Sequence, residues 1–209
     1  MKQTDDFNWD TYSKIYEGQI NNDFLGKGMG FIVDKYQIIN DELVFADNLH
    51  VNWKEIYHLV HKLKVKSIYE CGCGGAYNLI NNQIINPNLK VNGCDYLQSQ
   101  IDIGYKYFNL GNYEFSKRLK VIDMVNIDDI NALGKHEFVY TQAVTMHLSY
   151  ERAKKFLLNM KELSTKYIFL IENITMQDYD TLISEVFPEF ERIIDNKYIN
   201  NSILLKRKI

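Results

Sequence analysis

Two prolines, Pro87 and Pro188, are all that this 209-residue chain contains. Neither sits in a linker-like run, and the chain has neither a repeat nor a low-complexity stretch, so nothing divides it into parts. No apolar run approaches the length that spans a bilayer. Residues Met1–Asp6 carry no signal-peptide core, which gives the cytoplasm as the expected compartment. Basic residues are neither abundant nor clustered: 24 Lys and Arg stand against 27 Asp and Glu, for a net charge of −3. That balance provides no electrostatic groove for nucleic acid and no patch for an anionic membrane. The three cysteines are odd in number, and Cys71-x-Cys73 is neither a redox C-x-x-C nor a zinc pair. The five histidines form no H-x-x-x-H pair, so no metal is expected. Gly-Lys-Ser and Gly-Lys-Thr are absent, which removes the phosphate-cradling P-loop.

What is present is alternation. Short apolar runs read as strands at Ser67–Glu70, Val91–Asp95, Lys120–Ile122, Phe138–Thr141 and Tyr167–Ile171. Between and after them, helical spacing appears at Tyr77–Ile84, Gln98–Asn109, Tyr150–Leu163 and Gln177–Val186, with Pro188 soon after the last. Strands that alternate with helices indicate a doubly wound, mostly parallel α/β sheet with helices on both faces. Phe190–Asp195 and Ser202–Arg207 read as a C-terminal antiparallel strand pair. Upstream, Trp53–Leu63 reads as an amphipathic helix. Trp9–Ile20 carries Trp9, Tyr12, Ile15, Tyr16 and Ile20 at helical spacing, and Phe31–Ile39 with Leu43–Ala46 reads as a hairpin. The expected organisation is one domain over 1–209, with 1–50 as a helix-and-hairpin cap and 51–209 as the core.

The chemistry concentrates at Glu70-Cys71-Gly72-Cys73-Gly74-Gly75-Ala76-Tyr77-Asn78, between the first core strand and its helix. A glycine-rich turn at that place lets a ligand approach the main chain closely. This turn opens on a carboxylate, which suits a ligand carrying an amine and a ribose rather than a pyrophosphate. The dinucleotide pattern G-x-G-x-x-G fails: counted from Gly72 its third glycine is Tyr77, and counted from Gly74 it is Leu79. A second acid, Asp95, closes the next strand, 25 positions after Glu70.

With Glu70, Gly72, Gly74 and Ala76 standing as (D/E)-x-G-x-G-x-G, the segment Val51 to Glu172 resembles the class I, Rossmann-like S-adenosylmethionine-dependent methyltransferases. The third glycine is replaced by alanine. The resemblance implies a seven-stranded sheet and S-adenosylmethionine as cofactor. Its methionine end would lie on the turn (Glu70, Gly72, Cys73, Gly74, Asn78), with the ribose hydroxyls on Asp95 beside Tyr96. A carboxylate can accept hydrogen bonds from both hydroxyls of a cis-diol. The adenine would meet Asp123 and Met124, although Asp123 equally suits a loop cap.

Phe138–Leu148 resembles the family's fourth motif. That places Gln142 and Ala143 at the cofactor's sulfur and makes His147, a turn further on, a candidate catalytic residue. Glu172, after the fifth core strand, is a second catalytic candidate or a helix cap. Tyr16, with Tyr12, is a candidate for the methionine carboxylate. Displacement at a sulfonium asks mainly for alignment, with a base for an alcohol or amine acceptor. The chain lacks the N-P-P-[YFW] tetrapeptide of many nucleic-acid amino-methylases and has Thr141-Gln142-Ala143-Val144 in its place. The expected partner is therefore a small-molecule methyl acceptor: a sugar, a surface-glycan precursor or a related metabolite methylated on oxygen. A nicotinamide-dependent oxidoreductase and a non-catalytic scaffold are the alternatives.

Overall fold

The structure is a computed structural model that describes residues 7–9, 11, 14, 35–46, 49–108, 117–193, 197–199 and 202–208. The expected N-terminal helix, with Tyr12 and Tyr16, falls outside these residues except for Trp9, Thr11 and Lys14. The hairpin forms from β1 (Tyr36–Ile39) and β2 (Glu42–Phe45). Its two-residue loop, Asn40 and Asp41, has φ of 52° and 65°, the left-handed pair that matches the twist of paired strands.

The core continues as α1 (Val51–Lys62), β3 (Ser67–Cys71), α2 (Tyr77–Ile85), β4 (Lys90–Asp95), α3 (Gln98–Phe108), β5 (Leu119–Val121), β6 (His136–Gln142), α4 (Tyr150–Leu163), β7 (Ser164–Ile171), α5 (Tyr179–Val186), β8 (Phe190–Ile193) and β9 (Ile203–Arg207). Two boundaries shift because a side chain caps elsewhere. His50 accepts the Asn52 N–H at 3.2 Å and starts α1 before Trp53. Asp178 accepts the Thr181 N–H at 3.1 Å and starts α5 after Gln177, whose side chain instead donates to the Thr145 and Leu148 carbonyls.

The seven core strands are ordered β5-β4-β3-β6-β7-β9-β8. The C-terminal pair is antiparallel, and β9 is inserted between β7 and β8, so β9 is antiparallel to both neighbours. Each strand's alternation feeds two cores. Ile68, Phe138, Tyr140 and Phe169 pack with Ile56, Leu59, Leu79 and Ile101 of α1, α2 and α3. Tyr69, Val139, Ile168 and Leu170 pack with Phe156, Leu157, Met160 and Leu182 of α4 and α5 on the opposite face. A sheet buried on both faces explains the near-continuous apolar runs of β6 and β7. Strand order reverses between β3 and β6, and the crevice of a doubly wound sheet opens outside the carboxyl ends of the strands at such a switch.

Candidate active site

The turn after β3 is built from left-handed residues: Gly72 at φ 77°, Gly74 at 51° and Ala76 at 61°. At Gly72 an added Cβ would lie 2.4 Å from Cγ2 of Val144, so side-chain absence there lets the loop after β6 close on the turn. Ala76, at the third-glycine position, is fully buried and precedes α2 without a side-chain cap. A left-handed alanine costs roughly 1–2 kcal/mol, and burial of its methyl in the α1–α2 core offsets about 0.8 of that. The residue type departs from glycine while the backbone keeps glycine's conformation.

Glu70, next to last in β3, is 2 % exposed. Asn78 donates from Nδ2 to its Oε1 at 2.8 Å and to Gln142 Oε1 at 3.3 Å. The Asn78 amide is fixed in turn by the Tyr57 hydroxyl, which donates to its Oδ1 at 3.2 Å and accepts from Asn81 at 2.9 Å. Glu70 Oε2 has no hydrogen-bond partner among the described residues. Burial pushes the carboxyl up to about 8, against the pull of Asn78 and the neighbouring Tyr140 hydroxyl and with a further push from Asp95. A buried acid with one unmatched oxygen beside a cleft is poised for a cationic hydrogen-bond donor.

Asp95 binds the turn itself. Its Oδ2 accepts the Gly74 N–H at 2.8 Å and its Oδ1 the Leu97 N–H at 3.0 Å. Burial raises its pKa, opposed by the N–H groups of Leu97, Gly74 and Tyr96. Each oxygen keeps a lone pair for a ligand hydroxyl. Tyr96 is 56 % exposed on the rim. Asp123 borders the cleft and also closes its own loop, accepting from Val125 N–H and Asn126 Nδ2, each at 2.8 Å. Met124 is buried beside it, with its carbonyl accepting from Asn159 of α4 at 2.7 Å.

His147 and Glu172 stand apart from the other expected site residues. Gln142 and Ala143 border the cleft, Ala143 at φ 54°, but neither His147 nor Glu172 is among the described residues lining it. Phe7 stacks on the His147 ring, with centroids 4.2 Å apart and planes 27° apart, and the Trp9 edge meets it at 5.5 Å. Burial lowers the His147 pKa, which favours the neutral ring. Glu172 lies behind the loop rather than in the cleft. It accepts N–H bonds from Val144 at 3.1 Å, Thr145 at 3.2 Å and Met146 at 3.2 Å. It thus holds the short 3-10 turn Thr145–His147 and leaves α5 to Asp178. Burial raises its carboxyl to about 7, against those three donors.

The cleft has a volume of about 640 Å³. It brings together Glu70, Gly72, Cys73, Gly74, Asn78, Asp95, Tyr96, Asp123, Met124, Gln142 and Ala143. The expected Tyr16 lies outside the described residues. Missed from sequence were Phe7, His50, Trp53, Gln100, Arg152 and Phe156, which also line it. Trp53 was legible only as a position on an amphipathic helix, and Arg152 only as part of the helix Tyr150–Leu163. No group of three or more His, Cys, Asp or Glu side chains that could hold a metal ion occurs among the described residues. Cys71, Cys73 and Cys94 are buried and free, and no described helix is long and apolar enough to cross a membrane.

This strand order, with a glycine turn after its first core strand and an acid ending its second, is the class I, Rossmann-like methyltransferase fold. No protein-family model matches the chain, and no curated protein does. Among solved structures, the chain is similar to magnesium protoporphyrin IX methyltransferase from Synechocystis PCC 6803 with bound S-adenosylmethionine. The TM-score there is 0.58 at 12 % identity, over 94 % of this chain and 97 % of that one. The plantazolicin methyltransferase BpumL, in complex with a monoazolic desmethylplantazolicin analogue and S-adenosylhomocysteine, gives 0.55 at 11 % identity over 76 % and 82 %. TehB from Haemophilus influenzae gives 0.54 at 14 % over 78 % and 64 %. At these identities the likeness is one of fold.

Proposed function

We propose that this chain is an S-adenosylmethionine-dependent methyltransferase acting on a small-molecule acceptor. The observation that carries the reading is the pairing of Glu70, a buried carboxyl with an unmatched oxygen at the cleft, with Asp95, which ties the glycine turn through Gly74. These two acids fit the amine and the ribose of that cofactor, which the Synechocystis neighbour binds. Bound there, the cofactor supplies an electrophilic methyl group. The protein's part is alignment: Asn78 fixes Glu70 and Gln142 together, Asp95 sets the ribose, and Asp123 with Met124 receives the adenine. The acceptor would be methylated on oxygen, and a sugar, a glycan precursor or a related metabolite is the class we favour. Phe7, Trp53 and Phe156 offer it aromatic faces in the cleft. The unit would comprise 1–209, with 1–50 covering the core, since Phe7 and Trp9 already line the cleft; we place it in the cytoplasm.

Calorimetry with S-adenosylhomocysteine and with NADH tests this reading. Saturable binding of the first and none of the second is expected. Binding of NADH alone would favour the oxidoreductase, and binding of neither a scaffold.

In this reading His147 seats the N-terminal cover rather than taking a proton. An aromatic pair contributes about 0.5–1.5 kcal/mol beyond area. His147→Ala should therefore weaken S-adenosylhomocysteine binding by about two- to tenfold and shift the Trp9 fluorescence. A fall of kcat by a hundredfold with unchanged cofactor affinity and unchanged fluorescence would restore His147 as the base.

A further inference from the structure

We infer that the acceptor carries an oxyanion, a carboxylate or a phosphate, which Arg152 receives in the cleft wall. The inference rests on the methyltransferase reading and deepens it. The chain has four arginines. Three have protein partners: Arg118 donates to Gln83, Arg192 pairs with Asp180, and Arg207 pairs with Glu189 while donating to the Ser164 carbonyl. Arg152 has no ion pair or hydrogen bond among the described residues, yet it is half-buried and lines the cleft.

Its surroundings make that unusual. Arg152 sits in the first turn of α4, one helical turn before Phe156, which is 4 % exposed and also lines the cleft. Leu148 and Met124, both buried, also line the cleft, and Asn159 on the same face of α4 donates to the Met124 carbonyl. A guanidinium partly withdrawn from water against apolar side chains gains from a carboxylate or phosphate, and its planar fork binds either bidentately. No other Arg or Lys lines the cleft among the described residues, and its acids are Glu70, Asp95 and Asp123. The one guanidinium therefore fixes where in the cleft an anionic group can sit.

The adenosine part of the cofactor bears no anion; its one carboxylate lies at the amino-acid end, whose amine we assign to Glu70. Arg152 is left for the second ligand.

The experiment uses the full chain saturated with S-adenosylhomocysteine. Benzoate and phenyl phosphate serve as carboxylate and phosphate probes, with benzamide and phenol as uncharged counterparts, titrated into wild type, Arg152→Gln and Arg152→Lys. At least one anion should bind wild type, with affinity reduced about tenfold in Arg152→Gln and partly recovered in Arg152→Lys. Neither uncharged probe should discriminate among the three proteins. Which anion binds tells carboxylate from phosphate. S-adenosylhomocysteine affinity should stay the same in all three proteins. Equal binding of the anions to wild type and Arg152→Gln overturns the inference, as does anion binding to neither. A loss of S-adenosylhomocysteine affinity in Arg152→Gln also overturns it, because Arg152 would then serve the cofactor carboxylate. If wild type does not bind S-adenosylhomocysteine at all, the methyltransferase reading itself has failed.

Discussion

Asp95→Ala should lower S-adenosylhomocysteine affinity by about tenfold to hundredfold. Two contributions combine. The carboxylate accepts the Gly74 N–H at 2.8 Å and the Leu97 N–H at 3.0 Å, so its removal frees the turn that carries Gly72 and Gly74 in left-handed conformations. It also removes the acceptor for two ribose hydroxyls, and hydrogen bonds to a charged group contribute roughly 1.5–3 kcal/mol. A loss of about 1.4 kcal/mol is tenfold in affinity. Asp95→Asn separates the contributions. It keeps one carbonyl oxygen but puts an amide NH₂ where one carboxylate oxygen stood, so it should lie between wild type and alanine. Calorimetry at fixed pH measures all three, with circular dichroism as a check on folding. Affinity unchanged in Asp95→Ala would remove this residue from the ribose site and with it the main reason for reading the second acid as functional.

The strands and the glycine turn were legible because their signals are local. Ser67–Glu70 is apolar and ends at a Gly-rich punctuation, and Asp95 closes the next run in the same way. Parallel pairing then places both strand ends beside each other, since Glu70 is opposite Gly93 and Cys71 opposite Cys94. The surroundings of Glu172 were not legible because its partners are 26–28 residues away along the chain. A carboxylate at a strand end looks the same in sequence whether it faces the crevice or caps the neighbouring loop. The surroundings of His147 were hidden for the same reason, since the rings that cover it come from Phe7 and Trp9. Arg152 lies on α4, whose helical spacing was legible, but its place at the cleft depends on contacts between distant elements such as Asn159 with the Met124 carbonyl. The insertion of β9 between β7 and β8 has no local sequence mark either.

Glu70 gives the cleft a pH dependence with a definite sign. In the free protein its carboxyl titrates near 8, whereas the ordinary value is 4.5. Between those values the folded chain holds a proton that the unfolded chain has released. Stability of the free protein therefore falls as pH rises from about 4.5 to about 8 and levels off above. Glu70→Gln carries no such proton and should flatten that slope, as thermal melts across pH would show.

Ligand binding runs the other way. An α-amino group titrates near 8, and pairing it with Glu70 requires one shared proton, an ammonium against a carboxylate. Below pH 8 binding must displace the Glu70 proton, and above it the amine must regain one. Affinity for S-adenosylhomocysteine should peak near pH 8 and fall by roughly ten- to thirtyfold at pH 6. Calorimetry in two buffers of different ionisation enthalpy should show proton release on binding at pH 6–7. In Glu70→Gln the neutral amide cannot ionise, so the rising limb disappears and affinity at pH 8 should fall at least tenfold. Asn78 can still donate to the amide oxygen, so the local fold is expected to persist. A flat affinity profile between pH 6 and pH 8 in wild type, without proton release, would mean that Glu70 stays protonated in the complex and that the ligand's amine is bound elsewhere.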